Sequence, residues 1–126
     1  MVYETVKTDS APQPVGPYSQ AVETSNFVFT SGQIGVDPLT NTLRDGVKEQ
    51  TRQTMENLKA VLEAAGLAFS NVVKASIFIT DMADFAQVNE VYASYFVSPF
   101  PARCCVEVQA MAMGAGVEID LVAIKS

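Results

Sequence analysis

Arg103 stands in the run Phe100-Pro101-Ala102-Arg103-Cys104-Cys105-Val106-Glu107-Val108, which reads as a strand following a rigid proline turn. Side chains alternate along a strand, so Arg103, Cys105, Glu107 and Gln109 share one face. Ala102, Cys104, Val106 and Val108 take the other. A guanidinium fork matches a carboxylate in bidentate fashion, and the acid on its own face, Glu107, lies four residues on. The pattern points to an anion that Arg103 serves. A second candidate is Glu118, in Val117-Glu118-Ile119-Asp120-Leu121. Alternation sets Glu118 and Asp120 together, opposite Val117, Ile119 and Leu121. An acid on a strand is most often simply solvated. At the rim of a cleft, the same carboxylate can orient a water molecule and act as general base once burial raises its pKa.

The chain has no histidine. Ser-His, Cys-His and His-ligated metal chemistry are excluded together. Catalysis must then run on carboxylates, Arg, Tyr, Cys or backbone groups. Cys105 has no His or Lys near it in sequence to lower its pKa, so it reads as a small pocket wall rather than a nucleophile. Tyr18, in Gly16-Pro17-Tyr18-Ser19-Gln20, is either a packed turn residue or a phenol held out on a stiff loop. Thr30-Ser31-Gly32-Gln33-Ile34-Gly35 interrupts a strand with glycine, which marks a bulge or a close approach to backbone N–H groups. Asn89 follows Phe85 by one helical turn, so its amide points inward, as a satisfied core group or a ligand contact.

These residues need a scaffold, and 126 residues supply one domain, 1–126, with a sizeable core. Apolar residues make up 48% and charged residues 17%, which suits a globular protein with much covered surface. The net charge of −6 opposes phosphate backbones, so nucleic acid is not an expected partner. No apolar run approaches the about 20 residues of a membrane span, and the first residues carry no secretory pattern. Cys104 and Cys105 are neighbours that point to opposite faces of a strand and cannot form an ordinary disulfide. A reducing compartment, the cytoplasm, is expected.

Along the chain, Val2–Lys7 reads as a strand and 8–19 as a proline-broken loop. Ala21–Thr24 and Phe27–Ser31 form a hairpin, and 37–41 a turn. Val47, Met55, Leu58, Val61, Leu62 and Ala65 make one face of a helix that Gly66 stops. Val72–Thr80 is a covered strand. Asp81 or Asp84 caps a second helix with the stripe Phe85, Val88, Tyr92, Tyr95 and Phe96. Ala102–Ala110 and Val117–Ile124 close the fold as strands. The class is α+β, in the order β-β-β-α-β-α-β-β. Two helices behind one sheet leave its other face bare, exposing Phe27 and Phe29, or Ile77 and Ile79, and inviting self-association.

Taken together, the chain resembles the RidA/YjgF family of enamine/imine deaminases. The resemblance runs through Gly16-Pro17-Tyr18, Thr30-Ser31-Gly32-Gln33-Ile34, Asn57–Gly66, Asp84-Phe85 with Val88-Asn89, Pro101-Ala102-Arg103 with Cys105-Val106, and Val117-Glu118-Ile119. It implies a chorismate-mutase-like fold, a mixed sheet backed by two helices, in a homotrimer with sheets packed inward and clefts between subunits. It implies hydrolysis of 2-iminobutanoate and 2-iminopropanoate to 2-oxo acids and ammonia, with no cofactor and no metal. By the same resemblance Arg103 binds the substrate carboxylate and Glu118 holds the attacking water, while Tyr18, Ser31, Gly32, Asn89 and Cys105 line the cleft. The chain departs from the family pattern in a shorter connection at 97–100 and a loop at 109–115 without basic and proline residues. Both lie near the cleft rim and bear on substrate size. The competing reading is a non-enzymatic trimer that binds small carboxylates as regulator or chaperone. A ribonuclease conflicts with the charge and the missing histidines, and a chorismate mutase would rest on fold alone.

Overall fold

Val47–Ala64 forms a helix, α1, because Met55, Leu58, Val61 and Leu62 recur on one face and all four are fully buried. Its end is a Schellman motif. Gly66 takes φ +76°, its N–H reaches Glu63 O at 2.9 Å, and the Leu67 N–H reaches Leu62 O at 2.9 Å. The computed structural model describes residues 2–126. Three strands precede α1 as a meander: β1 (Glu4–Val6), β2 (Ala21–Glu23) and β3 (Phe27–Thr30). Three two-residue strands not foreseen from sequence follow: β4 (Gln33–Ile34), β5 (Val36–Asp37) and β6 (Thr42–Leu43). After α1 come β7 (Val72–Ile79), the helix α2 (Phe85–Ala93), β8 (Ala102–Glu107) and β9 (Val117–Ile124).

The main sheet runs β1-β2-β3-β9-β7-β8, with β4 also paired to β9. Every pairing is antiparallel except β7 with β8, which α2 joins as a crossover. That crossover lays α2 over the β8 edge, the step that positions Arg103. Both helices pack on one sheet face, against Val28, Ala75, Ile77, Ile79, Val117, Ile119, Leu121 and Ala123. The two-helix, mixed-sheet α+β architecture expected from sequence is the one observed.

The other face is bare. Phe27 and Phe29 lie there, about two-fifths exposed, with Val106 and Ile124. Ile77 and Ile79, the alternative considered from sequence, are buried against the helices. Several boundaries also move. The strand expected over Ala102–Ala110 ends at Glu107, whose carboxylate accepts the Met82 N–H at 2.8 Å. Asp81 rather than Asp84 does the capping, its side chain accepting the Ala83 N–H at 2.9 Å in the turn that leads into α2.

Candidate functional site

Arg103 leans over α2. Its Nη1 donates to Asn89 Oδ1 at 2.6 Å, and its Cζ sits 5.6 Å from the Phe85 ring centre and 5.1 Å from that of Tyr92. Asn89 is half-buried with its amide turned to Arg103, so the inward amide expected from sequence is a ligand for the guanidinium rather than an isolated core group. Glu107 is occupied by the Met82 N–H, and Arg103 belongs to none of the ion pairs among the described residues. The rest of its fork is free for an anion. A cavity of about 310 Å³ opens here between Asn89, Tyr92, Ala93, Phe100, Pro101 and Arg103. Cys105 lies one alternation along the same face, half-buried and packed on the core. Burial pushes its thiol above the ordinary value, against the pull of Arg103, so it is poorly suited to be a nucleophile.

Glu118 is built into a second cluster. An added Cβ on Gly32 would lie 2.4 Å from Glu118 Oε2, so the strand break at Gly32 exists to let backbone and carboxylate meet. Gln33 and Ile34 then resume pairing, opposite Ile119 and Glu118. Thr30 Oγ1 accepts the Leu121 N–H at 2.9 Å across the break. Ser31 ties in the N-terminal loop, its hydroxyl donating to Ser19 O at 2.6 Å and its N–H to Gln20 O at 2.9 Å. Tyr18 thereby stands beside Gly32, half-exposed, on one wall of a cavity of about 290 Å³. Burial raises the Glu118 pKa, and the negative charge of Asp120 raises it further. Asp120 is itself raised by burial, partly opposed by its hydrogen bond with Ser76.

Sequence reasoning missed the buried Gln20, which anchors the loop that presents Tyr18. Its Nε2 donates to Thr8 O, Ala11 O and Pro12 O at 3.1, 3.3 and 2.9 Å, and its Oε1 accepts the Thr8 N–H at 2.8 Å. Its place right after a proline-rich loop was the available signal. Phe85 and Tyr92 were read only as core, yet they also carry the Arg103 cation.

The two clusters occupy opposite faces of the sheet. Arg103 and Cys105 pair with Ala75 and Ile77, which face the helices. Glu118 and Asp120 pair with Phe78 and Ser76, on the bare face. Within one chain, then, Asn89, Arg103 and Cys105 come together, as do Tyr18, Ser31, Gly32 and Glu118, but a small molecule cannot touch Arg103 and Glu118 of the same copy. Among the described residues no cluster of His, Cys, Asp or Glu is arranged to hold a metal ion, and no helix is long and apolar enough to cross a membrane.

The chain is similar to known proteins along nearly its whole length. The 2-iminobutanoate/2-iminopropanoate deaminase of Salmonella typhimurium is 43% identical over 125 residues, which is 97% of this chain and 98% of that one. A RutC family protein of Aquifex aeolicus is 52% identical over 122 residues, 95% of this chain and 98% of that protein. The structure of RidA from an Antarctic Psychrobacter superposes with a TM-score of 0.95 at 47% identity, covering 97% of this chain and 99% of that one. Escherichia coli TdcF, solved with bound serine, gives a TM-score of 0.95 at 40% identity over 98% of this chain and 99% of that one. The model of the family described as Endoribonuclease L-PSP matches residues 8–125, and this chain is a member of that family, the YjgF/RidA family.

Proposed function

We propose that the protein hydrolyses short 2-imino acids, 2-iminobutanoate and 2-iminopropanoate, at clefts that form where copies meet in a homotrimer. In each cleft Arg103 of one copy takes the substrate carboxylate, and Glu118 of another holds the water. The observation that carries the reading is the pair of half-sites: a fixed, unpaired guanidinium on one face and a carboxylate held against Gly32 on the other. The bare apolar sheet face supports assembly, since exposed phenylalanines are costly in water.

The chemistry asks little of the protein. A protonated imine carbon is already electrophilic, so positioning dominates. Glu118 accepts a proton from water as oxygen attacks that carbon. Glu118 then passes that proton to the nitrogen of the tetrahedral carbinolamine, the hydroxyl gives up its own proton to solvent as the C–N bond breaks, and nitrogen leaves as ammonia while the 2-oxo acid forms. An ionised Glu118 also stabilises the cationic nitrogen. No step calls for a cofactor. Cleavage of RNA, which the family's description suggests, finds neither histidine nor a basic surface here.

The test couples a threonine dehydratase to the purified protein and follows semicarbazide-trapped imine against free 2-oxobutanoate. The expected outcome is faster 2-oxobutanoate release and less trapped imine, with Arg103→Ala losing about two orders of magnitude or more. No acceleration, or full activity in Arg103→Ala, would leave a carboxylate-binding protein instead. The serine seen in TdcF makes that the specific competing outcome.

A further inference from the structure

The cavity beside Gly32, the residue against which Glu118 is held, is larger than a methyl or ethyl group needs. Ile34 pairs directly with Glu118 across β4 and β9, so the two side chains share a face. Ile34 and Gly32 both line the cavity of about 290 Å³ described above. Pro12 and Val15 from the N-terminal loop, Val36, and Met113 from the loop before β9 supply its apolar wall, and Gln13, Tyr18, Gln33 and Asn41 its polar edge. Val15 and Met113 are exposed at 96% and 61%, although neither has a polar group to offer water. The space therefore opens beside Gly32, against which Glu118 is held, and runs outward past Val15 and Met113.

Met113 adds a second, independent observation. It holds φ 60° and ψ 16°, the left-handed region, which a residue with a Cβ enters at a cost that Gly and Asn largely avoid. Gly114 beside it is also left-handed, at φ 71°. A chain selected only for this turn would carry Gly or Asn at 113. Strain of this kind persists where a side chain is wanted in a particular place.

We infer that this cavity is a side-chain subsite, and that the protein prefers 2-imino acids with branched or aromatic apolar side chains over 2-iminopropanoate. The inference rests on the hydrolase reading and names its substrate class. With the carboxylate on Arg103 and the imine carbon at the Glu118 water, the substrate's third substituent enters the cavity. There it covers Ile34, Val36 and Val15, and Met113 closes over it. A methyl group would leave that space to water.

The experiment measures how much protein halves semicarbazone formation from each imine. The dehydratase reaction on serine supplies 2-iminopropanoate, and an L-amino-acid oxidase supplies the imines of leucine and phenylalanine. Semicarbazide and the protein compete for the same imine, so differences in supply cancel. The leucine and phenylalanine imines are expected to need roughly tenfold less protein than 2-iminopropanoate. Met113→Asn removes the apolar lid and suits the backbone, so it should fold at least as stably while the leucine-to-alanine ratio falls severalfold. Hydrolysis of 2-iminopropanoate as fast as the larger imines overturns the subsite and leaves the hydrolase reading standing. So does an unchanged ratio in Met113→Asn, the result expected if a neighbouring copy fills the cavity instead. Failure to accelerate any imine overturns the hydrolase reading itself.

Discussion

Glu118 sits where two physical effects push the same way. Burial disfavours its charge, and Asp120 on the same face adds a negative neighbour. A base must be ionised to take a proton, so kcat/KM should fall as pH drops through a pKa above the ordinary glutamate value of about 4.3. Replacing Asp120 with Asn removes the charge that raises Glu118. The acid limb of the pH–rate profile then moves to lower pH, and a limb that stays in place would show that Glu118 is not the titrating base. Glu118→Gln should cost about two to four orders of magnitude in turnover while still binding 2-oxobutanoate. Its melting temperature should hold or rise, because a carboxylate that burial holds above its ordinary pKa stabilises the fold below that pKa and less as pH rises through it. Glutamine carries no such charge. Equal loss of binding and turnover would make Glu118 structural.

Two glycines on the segment between β3 and α1 separate chemistry from folding. At Gly32 a methyl group meets the tip of Glu118, a flexible side chain that can move aside. At Gly35 it meets Gln50 Cα at 2.5 Å and Gln50 O at 2.6 Å, backbone of α1 that cannot. Gly32→Ala should therefore keep its melting temperature and lose turnover, since the displaced carboxylate no longer aims its water. Gly35→Ala should be destabilised by about 1–3 kcal/mol in urea unfolding. The reverse pattern would remove Gly32 from the site. Much at this scale was legible in sequence. The Gly66 stop, a strand starting at Val72 and the boundaries of β9 follow from apolar period and turn chemistry, whereas the cover expected on both faces of the Val72 strand is present on the helix side alone. The two-residue strands were not, because a dipeptide carries no period. Nor was the mutual placement of Arg103 and Glu118. Alternation fixes which residues share a face within a strand, but the faces of two strands are matched only by register, and register is a tertiary fact.

At the scale of the whole molecule, the split between the faces becomes the sharpest prediction. If one copy supplies Arg103 and another Glu118, two inactive variants can repair each other. Arg103→Ala retains a sound Glu118 half, and Glu118→Gln retains a sound Arg103 half. Unfolded together and refolded, they assort at random, and roughly a quarter of the clefts in a cyclic trimer receive both intact halves. Imine hydrolysis should return to about that fraction of the unsubstituted protein, while each variant refolded alone stays inactive. A site contained within one chain would recover nothing, since no chain in the mixture carries both residues. Phe29→Asp supplies the complement to this experiment. It places a charge on the bare face beside Phe27, 5.9 Å away between ring centres in the native chain, and Phe29 is not part of the core. The chain should still fold, sediment as a smaller species and lose hydrolysis, because its half-sites then face water rather than each other.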